Sequence, residues 1–95
     1  MVTYRTQVKI VADILTTARD YGNNGEGVGV TTLLRKANLS YSRLMKILKE
    51  LVKSGLLEEI AQDKSSKYRI SEKGLEFLEV YSRFEEFAQS FGLRL

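Results

Sequence analysis

The segment between Ser40 and Gly55 constrains the fold most, because it is the most clearly two-sided stretch of the chain. At 100° per residue, its apolar side chains gather on one side of a helical wheel and its basic side chains on the other. Ser40 suits the N-terminal cap of a helix, and Gly55 suits the left-handed position that follows one. The pattern predicts a helix over residues 40–54. Its core-facing side chains are Leu44, Ile47, Leu48 and Leu51, with Tyr41, Met45 and Val52 beside them.

Two helices are predicted before this one, with a possible short strand between them. Residues 6–20 repeat apolar side chains at spacings of three and four, which is typical of one buried helix face. The Gly- and Asn-rich segment 21–29 then ends the first helix, and the residues near its end permit one very short strand. A second, short helix is predicted from Thr31 to Ala37, with a threonine as its N-terminal cap.

A hairpin and a long helix are predicted after it. Residues 56–61 and 67–70 have the composition of two strands joined by a polar turn, and Ser71 is placed to cap a last helix. The order of elements predicts a mainly α fold with a small β-hairpin (α+β). It is the order of a winged helix-turn-helix domain, which we expect over residues 1–71, followed by a dimerisation helix over residues 72–95.

Charge is segregated along the chain, although the net charge is only +3. Residues 31–71 carry nine basic and four acidic side chains, whereas residues 72–95 carry three basic and five acidic ones. A basic surface is what a polyanionic partner requires. The middle of the chain is therefore the part that we expect to meet nucleic acid.

The composition also argues against several kinds of chemistry. The chain contains neither Cys nor His, which removes thiolate and imidazole metal sites and imidazole acid–base catalysis. The glycines of segment 21–29 lack the Lys and the strand–helix context of a phosphate-binding loop. We therefore predict a protein that is not an enzyme and uses no metal or cofactor. No apolar stretch approaches the roughly 20 residues of a membrane span, so we expect a cytoplasmic protein without a membrane partner.

The basic side of the third helix is the predicted DNA reader. A recognition helix lies in the major groove with its N-terminal residues toward the base edges, where Arg, Lys and Ser side chains form hydrogen bonds. Lys49 and Lys53, farther along, are expected to meet phosphates, and so are the cations of the second helix. The basic hairpin is predicted to follow a phosphate ridge or to enter the minor groove. The candidate DNA contacts are Arg35, Lys36, Ser40, Tyr41, Ser42, Arg43, Lys46, Lys49, Lys53, Lys64, Ser65, Ser66, Lys67 and Arg69.

The last helix carries an apolar seam of the coiled-coil type. From Gly74 onward, apolar and small side chains recur at alternating spacings of three and four over about three heptads. The seam combines large Phe and Tyr side chains with small Gly and Ala residues. An antiparallel pair of helices is favoured because it allows the large side chains of one helix to pack against the small residues of the other. The predicted dimerisation residues are Phe77, Tyr81, Phe84, Ala88, Phe91 and Leu95.

A second apolar set, Leu75, Leu78 and Val80, is expected to pack on the chain's own domain. A domain this small cannot also cover Phe84, Phe87 and Phe91, and a row of exposed aromatic rings marks an interface. A second copy of the chain is the simplest partner. The alternative is that the last helix folds back on the first.

Two runs of residues resemble a known family. They are Lys-Ala-Asn-Leu-Ser-Tyr at residues 36–41, between the second and third helices, and Tyr-Arg-Ile-Ser-Glu-Lys-Gly at residues 68–74. With Leu44, Leu48 and Leu51, they make residues 5–95 similar to the archaeal small basic winged-helix DNA-binding proteins of the chromatin-associated kind. The Gly- and Asn-rich loop is longer than that pattern.

The resemblance implies a nucleoid-associated homodimer that is joined by an antiparallel coiled coil of its last helices. It also implies that double-stranded DNA is contacted by Ser42, Arg43 and Lys46 and by the wing around residues 64–67. The function expected is that of a transcriptional regulator or chromatin-like protein. The alternative is a winged helix that binds other proteins and does not contact DNA.

Overall fold

The computed structural model describes residues 6–22 and 25–93, and in this part of the chain it has four helices and three strands. They are α1 (Gln7–Asp20), β1 (Val28–Gly29), α2 (Val30–Ala37), α3 (Tyr41–Lys53), β2 (Leu57–Ala61), β3 (Ser66–Ile70) and α4 (Glu72–Gln89). The order of elements is the predicted one, and the architecture is that of a winged helix with an additional C-terminal helix. None of the helices in the described ranges is long and apolar enough to cross a membrane.

Hydroxyl side chains begin three of the helices. Thr6 Oγ1 accepts a hydrogen bond from the backbone N–H of Lys9 at 3.0 Å, and Ser40 Oγ accepts one from Arg43 at 3.3 Å. Ser71 Oγ accepts from Gly74 at 3.0 Å. Each bond satisfies a backbone donor that has no partner within the helix. The predicted caps at Ser40 and Ser71 are confirmed.

The start of α2 differs from the prediction. The helix begins at Val30, and its N-terminal cap is Gly29, which makes no side-chain capping bond. A threonine cap was expected because Thr is a good capping residue, but pairing in the sheet decides this boundary. Gly29 lies opposite Lys67 in the β1–β3 ladder, and the helix follows that pair directly. At its other end, Asn38 takes the left-handed conformation (φ 56°) that turns the chain toward α3.

The three strands form one antiparallel sheet in the order β1-β3-β2. Between β2 and β3 the paired residues are Leu57 with Ile70, Glu58 with Arg69, Glu59 with Tyr68, Ile60 with Lys67 and Ala61 with Ser66. Because side chains alternate between the faces of a sheet, buried Leu57 and Tyr68 mark the inner face. Glu59 shares this inner face, whereas Glu58 and Arg69 lie on the outer one.

The core lies between the helices and the inner face of the sheet. Its completely buried side chains come from four of the elements: Ile14, Leu15, Leu33, Leu44, Leu48 and Leu57. Ile47 and Leu51 of α3 are buried as well, so all four predicted core positions of this helix are confirmed. With its apolar side held by the core, α3 has a fixed rotation about its own axis.

The first half of α4 packs against α1 and completes the core. Leu78 is buried, and Phe77 and Tyr81 pack beside it. The expectation that Leu78 packs on the chain's own domain is confirmed, but Leu75 and Val80 are exposed. The side of α4 that faces the domain carries Gly74 and Leu78, which are buried. Leu75 and Val80 lie on other sides of the helix.

Candidate nucleic-acid interface

The α3 helix presents a cationic surface to solvent. With its leucine side in the core, the helix leaves Ser42, Arg43, Lys46, Lys49 and Lys53 exposed, as predicted. In this helix, Glu50 is the acidic residue, and it lies with Arg43 and Lys46 along the groove toward α1. The face is therefore strongly positive and unobstructed by the described part of the chain.

Tyr41 begins α3 with an exposed ring. Its side chain is 60% exposed, although on a helical wheel it borders the apolar side. Together with Met45 it forms one wall of an open cleft, and the residues of the hairpin form the other wall. Ser40, directly before it, is exposed while its hydroxyl caps the helix.

The two cations of α2 lie in its last turn. Arg35 and Lys36 are both exposed, and a positive charge there is favoured by the negative end of the helix dipole. Lys36 Nζ lies 5.0 Å from the centre of the Tyr21 ring, which is a cation–π distance. Lys36 therefore has an intramolecular contact, yet its side chain remains accessible.

The hairpin of β2 and β3 forms the wing. Its tip is closed by the backbone hydrogen bond from Gln62 N to Ser65 O at 2.8 Å. Lys64 and Ser65 are exposed at this tip, whereas Ser66 and Lys67 are half-buried. Ser66 Oγ donates a hydrogen bond to Glu59 Oε2 at 2.6 Å, so this predicted DNA contact is engaged within the wing.

Arg69 is not brought to the same surface as the α3 cations. On the outer face of the wing, its Nε forms an ion pair with Glu58 Oε1 at 2.8 Å. Its Nη1 donates to the carbonyl oxygen of Gly25 at 3.2 Å. Arg69 thus connects the glycine-rich loop to the wing, and its placement there follows from the strand alternation.

The cleft between α3 and the wing has a volume of about 740 Å³. Its lining combines the start of α2, Tyr41 and Met45 of α3, and residues 61–68 of the wing, with Glu59 beneath them. Tyr68 lies at its base, and burial raises the pKa of the Tyr68 hydroxyl, with smaller contributions from Glu59 and Tyr41. The α3 helix and the wing therefore enclose one shared concave surface.

A second exposed surface runs along α4. Its large apolar side chains are Val80 (60% exposed), Phe84 (54%) and Phe87 (62%) of the helix, and Phe91 (68%) in the turn directly after it. The Phe87 and Phe91 rings meet edge to face, with their centres 5.1 Å apart. We call these four residues the α4 stripe.

The α4 stripe differs in phase from the seam predicted for dimerisation. Phe84 and Phe91 belong to both sets, but Phe77 and Tyr81 pack on the chain's own core. Ala88 is buried outside that core, next to the turn in which Leu93 N donates to the Ala88 carbonyl oxygen at 3.0 Å. Leu95 lies outside the described residues.

The sequence contains the signal that would have identified the α4 stripe. Residues 77, 80, 84, 87 and 91 also recur at spacings of three and four, sharing 77, 84 and 91 with the predicted seam but with 80 and 87 in place of 81 and 88. Two heptad registers thus coexist on one helix. Periodicity alone does not distinguish them, because the choice depends on which side of α4 packs against α1.

Comparison with known proteins identifies the family. The sequence profile described as winged helix-turn-helix matches residues 4–89. No functionally curated protein matches the sequence significantly.

Solved structures with the same architecture include two archaeal proteins. Sso10a-2, a DNA-binding protein from Sulfolobus solfataricus, is similar with a TM-score of 0.76 and 26% identity, over 92% of this chain and 85% of that one. AF1382 from Archaeoglobus fulgidus has a TM-score of 0.69 and 16% identity, over 86% and 89% of the two chains.

A third similar structure is TubR, a type III plasmid segregation protein, with a TM-score of 0.64 and 15% identity over 87% of this chain and 92% of that one. At such identity AF1382 and TubR show a shared fold. The family profile, in contrast, spans nearly the whole chain. The chain therefore belongs to the winged helix-turn-helix family.

Proposed function

We propose that this chain binds double-stranded DNA as a homodimer and acts as a transcriptional regulator or a chromatin-like, nucleoid-associated protein. The observation that carries the proposal is the exposed cationic face of α3, which its buried leucine side holds in a fixed orientation. Sso10a-2, the similar structure with the highest of the identities given above, is a DNA-binding protein, which supports the same partner.

In this proposal, α3 enters the major groove. Ser42, Arg43 and Lys46 lie in its first half and face the base edges, while Lys49 and Lys53 meet phosphates. The wing tip at Lys64 and Ser65 follows the neighbouring backbone, with Lys67 beside it. Arg35 and Lys36 add phosphate contacts from α2. Residues 1–71 then carry the DNA contacts, with Arg69 holding the wing rather than touching DNA.

Dimerisation is proposed through the α4 stripe, within residues 72–95. Exposed aromatic rings in a continuous row mark a surface that is covered by a partner. A groove of about 460 Å³, lined by Leu56, Phe77, Val80 and the residues around them, lies at the N-terminal end of this stripe. Phe91 lies at the other end, 14 residues from Phe77 along the chain.

An antiparallel pair accounts for both ends of the stripe. If the two-fold axis passes near Phe84, the partner's Phe91 lies beside Phe77, because both positions are seven residues from the axis. The ring of Phe91 then fills the groove of the other copy.

A winged helix that binds other proteins is the second candidate. The α4 stripe favours it as much as it favours a dimer, because an apolar helix face can be covered by either. The cationic face of α3 has no role in that candidate. A monomer in solution without measurable affinity for DNA would support the protein-binding function over the DNA-binding one.

The test is a salt titration of duplex binding by the double variant Arg43→Ala with Lys46→Ala. If both cations contact DNA, we expect affinity to fall by about ten-fold or more. For each of them that contacts a phosphate, the slope of log K against log salt falls by about 0.9.

The matched control is Lys9→Ala with Arg19→Ala, which removes the same charge from α1. These two cations pair with Asp13 and Asp20, at 3.6 Å and 2.9 Å. We expect the control to bind nearly as the wild type does. Equal losses for both double variants would mean that total charge, and not the α3 face, governs binding.

A further inference from the structure

The wing carries a negative charge on the surface proposed to meet DNA. Glu59 is exposed on the inner face of β2, opposite Tyr68, and it lines the cleft shared with Tyr41 and Met45. It also lines a smaller groove of about 380 Å³ together with Lys49 and Val52 of α3. Glu59 therefore lies where the recognition helix and the wing converge.

The surroundings of Glu59 differ from those of its neighbour Glu58. The Glu58 carboxylate is paired with Arg69 at 2.8 Å on the outer face. Glu59 accepts a hydrogen bond from the uncharged Ser66 hydroxyl at 2.6 Å, and no cation of the described ranges forms an ion pair with it. The hydrogen bond holds the carboxylate in the cleft, and Lys49, which lines the smaller groove with it, does not come close enough to form an ion pair.

A carboxylate in this position opposes the phosphates of DNA. Lysines of α3 and of the wing tip attract the duplex backbone toward both walls of the cleft, whatever its sequence. Between them, Glu59 repels any phosphate that enters. It affects a hydrogen bond from Arg43 to a base edge less, because Arg43 lies on another side of α3, along the groove toward α1.

We propose that Glu59 is a specificity-determining residue that excludes phosphate from the cleft between α3 and the wing and so weakens sequence-independent DNA binding. The inference rests on the proposed DNA-binding function. Specificity is the difference between the affinity for the target sequence and the affinity for other sequences. A charge that weakens phosphate contacts lowers the affinity for every duplex, so the base contacts account for a larger share of the remaining binding energy.

The test is Glu59→Gln, measured on a random-sequence duplex at several salt concentrations. Glutamine keeps an oxygen that accepts the Ser66 hydrogen bond and removes only the charge. For a phosphate about 8 Å away and an effective dielectric constant of about 40, between those of bulk water and of a protein surface, Coulomb's law corresponds to a gain in affinity of about six-fold. We expect the gain at low salt and its decline as salt screens the charge.

Two variants serve as controls. Glu58→Gln removes the same charge from the adjacent residue on the outer face, and we expect it to change affinity less than about two-fold. Ser66→Ala removes the hydrogen bond but keeps the Glu59 charge, so it should not reproduce the gain. Circular dichroism melting curves establish that each variant is folded.

The possible results distinguish a failure of the role inferred for Glu59 from a failure of the proposed DNA-binding function. If the wild type binds duplex and Glu59→Gln binds no more tightly than Glu58→Gln, the inference is wrong and the DNA-binding function stands. A loss of affinity in Glu59→Gln also overturns it, since the carboxylate would then accept a bond from the DNA. If the wild type binds no duplex, both proposals fail together.

Discussion

Gly74 is the residue at which α4 passes closest to the sheet. A Cβ atom at this position would overlap the carbonyl oxygen of Leu56 and lie 2.6 Å from Cγ1 of Ile70. Glycine is therefore required here by a close approach of the backbone and not by its own dihedral angles, since the residue is helical. The predicted seam begins at Gly74 and includes it as a small residue facing a partner helix. In the structure Gly74 packs against Leu56 and Ile70 of its own chain.

Gly74→Ala is expected to destabilise the protein by about 2 kcal/mol or more, because the backbone of α4 must shift away from the sheet to make room. Urea unfolding followed by circular dichroism measures the change. Gly29→Ala is the control, since a Cβ there meets nothing within 4 Å, and the expected cost is below about 1 kcal/mol. Equal stability of the two variants would contradict the close approach.

The wing shows how one element carries two different surfaces. Alternation along β2 and β3 places the Glu58–Arg69 pair on the outer face and Glu59 with Tyr68 on the inner one. By the same alternation Lys67 shares the outer face with Arg69, but Lys67 also lines the cleft near the tip, whereas Arg69 is bonded to Glu58 and Gly25. In the described part of the wing, the cations that line the cleft are Lys64 and Lys67.

Lys64→Ala combined with Lys67→Ala should therefore weaken binding to all duplexes alike. If each lysine contacts one phosphate, the salt slope falls by up to about 1.8, because each contact contributes about 0.9. Arg69→Ala is the comparison, and we expect little change in its slope. The assignment of the wing tip would be wrong if Arg69→Ala lowered the slope as much as the double variant does.

At the scale of the whole molecule, the described residues leave an apolar surface exposed along α4. The helix packs Leu78 into the core and contacts α1, while the α4 stripe lies on a side that stays exposed. Within residues 6–22 and 25–93, no other element packs against that stripe. In the proposed dimer, a second copy of the chain would cover it.

Phe84→Ala with Phe87→Ala is expected to convert a dimer into a monomer, because these two rings lie at the middle of the stripe. Sedimentation equilibrium distinguishes the states, since one chain has a mass of 10.8 kDa. Leu75→Ala is the control: Leu75 is 44% exposed on the opposite side of the same helix, and its loss should leave the dimer intact. A monomeric wild type would refute the dimer itself.

Much of the fold could be predicted because its signals are local. The Ser40 and Ser71 caps, the left-handed Gly55 (φ 85°) and the leucines of α3 act over one or two turns of helix, so neighbouring residues suffice to place them. The same reasoning located the exposed cations of α3, since a helix with one buried side exposes the other. The start of α2 was missed because strand pairing with β3, distant in sequence, decides it.

The sequence by itself determined the element order, the orientation of α3 and the segregation of positive charge into the middle of the chain. Only the tertiary structure decided which of two heptad registers on α4 remains exposed, that Arg69 is bonded to Glu58 and Gly25, and that Glu59 lies in a groove with α3. The physical reason is that helical and strand periodicities depend on neighbours along the chain. Which face is covered depends on elements that meet only in the folded protein.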